Sequence, residues 1–138
     1  KSMPNAFVDT NILVYAADEK LPKNRKTVIA RELLRQPGLH YSVQVLSEFI
    51  ASARHPAKLN LSRERERRWL QAWLLRPVAS LTTDTFVQAL AIHARYQISH
   101  WDSLILASAK ESGCFIVYSE DLTHDQDFGG VKVINPFL

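Results

Sequence analysis

The sequence predicts an α/β fold, a single domain with a mostly parallel central sheet flanked by helices on both faces. Three observations point there. Short apolar runs ("AFV", a run around His40–Ser42, "CFIVYS", "VKVINP") alternate with stretches of helical periodicity, the pattern of strand–helix–strand units. Stop and turn residues (Pro37 and Gly38, Pro56, Pro77, Gly113) fall between the periodic stretches. No repeat, low-complexity segment or linker divides the 138 residues, a length that suits one hydrophobic core.

In chain order, Ala6–Val8 reads as a short buried strand and 10–18 as a helix or helical turn. Pro22 opens a helix running to about Gln36, with Ile29/Leu33 and Ala30/Leu34 as apolar rows at i,i+4. "QPGL" stops it. A strand around His40–Ser42 feeds the helix "VQVLSEFIASAR", which ends before Pro56. Ser62 is the expected N-cap of "RERERRWLQAWLL", whose Trp69/Trp73 and Leu70/Leu74 rows predict a buried stripe. After Pro77, Thr83 or Asp84 caps a helix to about Tyr96. Asp102 stands at the start of "SLILASAKESG", which is apolar nearly all round until Gly113 and so is expected at the centre of the fold. "CFIVYS" and "VKVINP" supply the last strands.

The composition, 46% apolar and 22% charged, is that of a soluble globular protein. No apolar run reaches the ~18 residues of a membrane span. Lys1 and Ser2 precede Met3 with no apolar segment of a signal peptide behind them, and read as a cloning remnant ahead of a domain at 3–138. One cysteine, Cys114, excludes an internal disulfide and a multi-cysteine zinc site. A cytoplasmic protein is expected. The net charge of +3 is too mild to indicate nucleic-acid binding by itself. If four of the 14 acids shared one pocket, however, 17 basic side chains would face only 10 acidic ones elsewhere.

Four carboxylates occupy telling positions. Asp9 ends the first strand, and Asp121 follows "CFIVY" by three residues. Ligands of open parallel sheets gather beyond the carboxyl ends of the strands. Singly, Asp9 or Asp102 is equally well explained as a helix cap. Glu48 resists a bland explanation, because it lies mid-helix between Leu46, Phe49 and Ile50. The other acids have simple roles: Glu64 pairs with Arg68 at i,i+4, Asp18 and Glu19 lie in a polar loop, and Asp125 and Asp127 in another. Carboxylates sharing one pocket raise each other's pKa. A hard divalent cation such as Mg²⁺ or Mn²⁺, which prefers oxygen ligands, relieves that conflict.

With those residues in place, the chain resembles PIN domains, and among them the VapC-type toxins of bacterial type II toxin–antitoxin pairs. "FVDTNILVYAAD", "SVQVLSEF", "SHWDSLILASAKESG" and "VYSEDLTHDQDFGGVKVINPF" carry the resemblance, in order and at the family's spacing. It implies that Asp9, Glu48, Asp102 and Asp121 form a catalytic, metal-binding quartet for Mg²⁺ or Mn²⁺. Thr10 and Ser119 would support it as hydroxyl donors, and Asn11 would order the turn. In "SED" either Glu120 or Asp121 can reach the metal, and the family's Thr/Ser-x-Asp pattern favours Asp121. Ser103 stands where alanine is commoner. The implied activity is endoribonuclease cleavage of a structured cytoplasmic RNA such as tRNA or rRNA, leaving a 5′-phosphate and a 3′-hydroxyl. The implied partners are a VapB-type antitoxin in a hetero-oligomer and a second copy of the chain.

Basic candidates for holding RNA are Arg54, Lys58, Arg63, Arg65, Arg67 and Arg68, and such contacts make binding salt-dependent. Three rivals remain. A related nuclease of RNA processing or DNA flaps would tend to be longer. An aspartyl-phosphate phosphatase needs a second Asp two residues after the first, where this chain has Asn11. A non-catalytic module would use the acids only to dock a basic partner.

Overall fold

In a computed structural model, which describes residues 5–138, the central strand has three residues. The expected start at Met3, with Lys1 and Ser2 ahead of it, lies outside the described residues. β1 (Ala6–Val8) has all three side chains buried, as a strand covered on both faces requires. It is flanked by β2 (Leu39–Ser42) and β4 (Ile116–Tyr118), with β3 (Val78–Ala79) and β5 (Lys132–Ile134) at the edges. The order is β3-β2-β1-β4-β5 and every pairing is parallel.

Six helices connect the strands: α1 (Thr10–Ala16), α2 (Arg25–Leu33), α3 (Val43–Arg54), α4 (Arg63–Trp73), α5 (Thr83–Tyr96) and α6 (His100–Glu111). The chain moves one way across the sheet from β1 to β3 and back the other way to β4. Right-handed crossovers therefore put α1–α4 on one face and α5–α6 on the other, and the helices pack in those two groups. The direction changes between β1 and β4, the switch point where open sheets form ligand clefts. The expected α/β architecture is the observed one.

Several boundaries differ from expectation for local reasons. Asn24, not Pro22, caps α2 by accepting a hydrogen bond from Lys26 N, and Leu21–Asn24 forms a turn ahead of it. The helix stops at Leu33. α1 likewise ends at Ala16. Thr82 rather than Thr83 or Asp84 caps α5, through a capping box with Thr85; Asp84 sits in the first turn, where its charge favours the helix dipole. Ser99 caps α6 by accepting from Asp102 N at 3.0 Å, which puts Asp102 inside the first turn rather than at the cap. α4 ends at Trp73, so Leu74 lies past the helix and is 59% exposed; of the anticipated stripe, only Trp73 is fully buried. β4 is shorter than "CFIVYS", and two-residue β3 had no sequence signal.

The core joins both halves. Phe7, Phe49, Tyr41 and Trp73 pack as one cluster, with Trp73 edge-on to Phe49 at 4.7 Å. Ser103 to Ala109 are buried without interruption, as the all-round apolar sequence of α6 predicts. Cys114 is buried too, and burial pushes its thiol up to about 11.

Candidate active site

Glu48 and Asp121 line the switch-point cleft, and Asp9 and Asp102 lie near Asp121 without being part of the cleft's lining; the four come from four elements. Asp9 leaves β1 and caps α1, accepting from Thr10 N at 2.7 Å. Asp121 follows β4, Glu48 projects from the middle of α3, and Asp102 from the first turn of α6. The cleft has a volume of about 510 Å³ and is lined by Thr10, Asn11, Tyr15, Glu48, Lys58 and Asp121 among others.

Neutral donors hold these carboxylates. Thr10 Oγ1 donates to Glu48 Oε1 at 2.6 Å, tying α1 to α3. Ser119, fully buried, donates to Asp9 Oδ2 at 2.7 Å and accepts from Asp121 N at 3.1 Å. Asn11 Nδ2 donates to Asp121 Oδ2 at 3.1 Å, while its Oδ1 accepts from Glu120 N at 3.2 Å. One turn after β1 thus fixes the segment after β4. Among the described residues, no Lys or Arg forms an ion pair with Asp9, Glu48, Asp102 or Asp121.

Burial first, and neighbouring acids second, shift two of these carboxyls upward. Burial pushes the Asp9 carboxyl from 3.8 up to about 7; hydrogen bonds from Ser119 and Thr10 oppose the rise, and the nearby Asp121 and Asp102 add to it. Asp102 is raised as well, by burial first and then by Asp121 and Glu48, against a Ser99 hydrogen bond. Asp9 therefore feels Asp121 and Asp102, and Asp102 feels Asp121 and Glu48. Among the described residues, no three His, Cys, Asp or Glu side chains stand close enough together to hold an ion as they are placed. In kind, the donors fit a hard cation: oxygen ligands only, with no thiolate or imidazole.

Glu120 points elsewhere. Its carboxylate is in an ion pair with Lys26 and accepts from the Tyr15 hydroxyl at 2.5 Å, and these partners hold its pKa below the ordinary value despite burial. Lys26 and Tyr15 did not stand out in the sequence, because they lie 94 and 105 residues from Glu120.

Gln44 was also missed, though it carries a signal at four residues before Glu48 on the same helix. Its buried amide donates to Trp101 O at 3.2 Å and more weakly to Glu48 Oε2 at 3.4 Å. It thereby bridges the helix of Glu48 to the turn of Asp102. Its Oε1 is buried with no partner among the described residues.

The PIN domain family model matches residues 6–128, a span holding all four acids. The chain belongs to the PIN domain family. Among solved structures, this PIN domain resembles a toxin–antitoxin complex from Klebsiella pneumoniae (TM-score 0.68, 21% identity, 96% of this chain and 98% of that one). It also resembles VapC20 of Mycobacterium tuberculosis, a sarcin–ricin-loop-cleaving toxin (0.67, 19%, 85% and 90%). A third is DNA-bound VapBC from Salmonella typhimurium (0.65, 20%, 95% and 97%). At these identities the likeness is one of fold. No curated protein matches the sequence.

The basic candidates divide in the PIN domain. Lys58 lines the acid cleft. Arg54 grips buried Glu66 through two hydrogen bonds at 2.8 and 3.0 Å, Arg65 holds Glu19, and Arg68 pairs with Glu64 at 3.1 Å. Arg63 and Arg67 line a separate hollow beside Arg54 and have no ion pair among the described residues. His100 packs its ring edge-on to Phe86 and Trp101.

Proposed function

We propose that this PIN domain is a metal-dependent endoribonuclease toxin that cuts a structured RNA, tRNA or rRNA, until a VapB-type antitoxin neutralises it. The observation that carries the reading is four carboxylates around the sheet's switch point that, among the described residues, form no ion pair with a Lys or Arg. Asp9, Glu48, Asp102 and Asp121 are the proposed ligands, with Asp121 rather than Glu120 as the fourth because Lys26 and Tyr15 engage Glu120. Bound Mg²⁺ or Mn²⁺ would supply Lewis-acid stabilisation of the phosphodiester and a more acidic water.

The chain's own residues keep the ligands ready. Thr10 orients Glu48, Ser119 holds Asp9, and Asn11 aims Asp121. Lys58 sits where a substrate phosphate entering the cleft would need a positive charge. The same acids would receive a basic side chain of the antitoxin. Toxin or toxin–antitoxin identity in three similar folds supports this reading. Exposed Phe86, Val87 and Leu90 share one face of α5, and Trp101 is 61% exposed; this apolar surface supports a homodimer.

The test is incubation of the purified protein with total bacterial RNA and Mg²⁺ or Mn²⁺. Discrete fragments with 5′-phosphates, abolished by EDTA, are expected. Cleavage that survives chelation would end the metal-dependent reading.

A further inference from the structure

A second pocket lies away from the acids. It opens between α5, α6 and the loop before β5, and is lined by Gln88, Ile92, Arg95, Tyr96, Lys110 and Phe128, with Gly129 at its edge. Lys110 is eight residues beyond Asp102 on α6, about 12 Å along the helix.

Its polar groups converge. A Cβ placed on Gly129 would sit 3.6 Å from the Tyr96 hydroxyl and 3.9 Å from Lys110 Nζ. Both groups therefore approach one spot over a glycine backbone that adopts φ +67°. The Arg95 guanidinium lies over the Tyr96 ring at 5.0 Å, and Phe128 braces that ring edge-on. None of the lining residues is acidic. Among the described residues, Arg95 and Lys110 form no ion pair, and the Tyr96 hydroxyl makes no hydrogen bond.

Two cations and a hydroxyl around an apolar floor suit an anion carried on a flat body. The volume, about 210 Å³, lies under the ~300 Å³ at which drug-sized ligands are enclosed. The hollow thus takes one end of a ligand and leaves the rest at the rim. A phosphate offers several acceptor oxygens to Lys110 and Tyr96, and a guanidinium plane braced on tyrosine is a platform on which a base stacks.

We propose that the α5–α6 pocket is a second, non-catalytic site that binds a nucleotide, its phosphate on Lys110 and Tyr96 and its base on Arg95. The proposal goes beyond the reading of the acid cleft and does not depend on it.

The test uses the full ¹⁵N-labelled chain in EDTA, so that neither metal nor cleavage enters. The probes are adenosine 5′-monophosphate, its halves adenosine and inorganic phosphate, and a short oligoadenylate. Expected are saturable shifts of the Gly129 and Gly130 amides with adenosine 5′-monophosphate or oligoadenylate, weakened about tenfold or more in Lys110→Met and in Arg95→Met. Both side chains are on the surface, and a dispersed spectrum verifies that each variant folds. Tighter binding of the monophosphate assigns the site to a free nucleotide, and tighter binding of oligoadenylate assigns it to an RNA strand. The proposal is overturned if Gly129 shows no saturable response at millimolar probe, or if the variants bind as the parent does. It is likewise overturned if inorganic phosphate alone binds as tightly as the monophosphate, or if shifts centre on Thr10 and Asn11.

Discussion

The acid cleft and helix α4 are both rich in charge, and they treat it in opposite ways. On α4 and its surroundings, Arg54 answers Glu66, Arg65 answers Glu19 and Arg68 answers Glu64. Glu19 also accepts from Trp69 Nε1 at 2.9 Å, which welds the loop after α1 to α4. In the cleft, the hydrogen bonds that the acids accept among the described residues come from hydroxyls, amides and backbone N–H groups, and burial raises Asp9 toward neutrality. The difference teaches that density of charge does not mark a site; charge left without its complement does. Paired charges hold a fold together, whereas buried like charges work against it and persist where a ligand relieves them.

The largest expected effect follows from removing one uncompensated acid. Asp9→Asn or Asp102→Asn should abolish RNA cleavage and growth inhibition while circular dichroism remains that of the parent. Full toxicity in either variant would break the comparison at its root.

Gln44→Leu comes next. It removes the bridge between Glu48 and Trp101 without touching a carboxylate, so cleavage should fall about 10–100-fold, as for other groups that orient ligands. Gln44→Glu adds another negative charge and should not rescue it.

Stability against pH sharpens the contrast further. Asp9, raised from 3.8 to about 7, keeps its proton in the fold over a range where the unfolded chain has lost it. Within that window the native state binds more protons, so its stability falls as pH rises and levels off above about 7. The Tm in EDTA should therefore decline from pH 4 toward pH 7 by more in the parent than in Asp9→Asn. At pH 8 the Asn variant should melt higher. Equal slopes would mean that Asp9 does not carry the strain.

The smallest effect belongs to α4. Exposed Arg68→Ala, which removes an i,i+4 pair, should change unfolding free energy by about 0.5 kcal/mol or less. Replacing Arg65, Arg67 and Arg68 together should weaken RNA binding and flatten its salt dependence less than Lys58→Met does, since two of the three arginines already serve Glu19 and Glu64. Urea titration and binding at several salt concentrations check the two statements. A larger effect from the triple variant would move the RNA path onto α4.

Much of this organisation was legible in the sequence. Strands such as "AFV" declare themselves because both faces are covered, and α6 does so because it is apolar all round. The four acids could be singled out because each interrupts an apolar element or follows its end. What stayed hidden depends on tertiary proximity. β3 is two residues long and exists only because β2 offers it an edge. Lys26 and Tyr15 become relevant through Glu120, on the far side of the chain. The α5–α6 pocket needs Gly129 brought against Tyr96 and Lys110, which no local pattern announces. Helix starts were misjudged where several polar residues compete, as Thr82, Thr83 and Asp84 do; the winner is the residue whose side chain accepts from the third helical N–H ahead of it.

Mn²⁺ binding measured by isothermal titration tests the central claim most directly, because it reads the quartet without any RNA. The parent should bind Mn²⁺, with binding lost in Asp9→Asn, Asp102→Asn and Asp121→Asn but retained in Glu120→Gln. Binding that survives all three Asp variants, or that is lost in Glu120→Gln and kept in Asp121→Asn, would contradict the account.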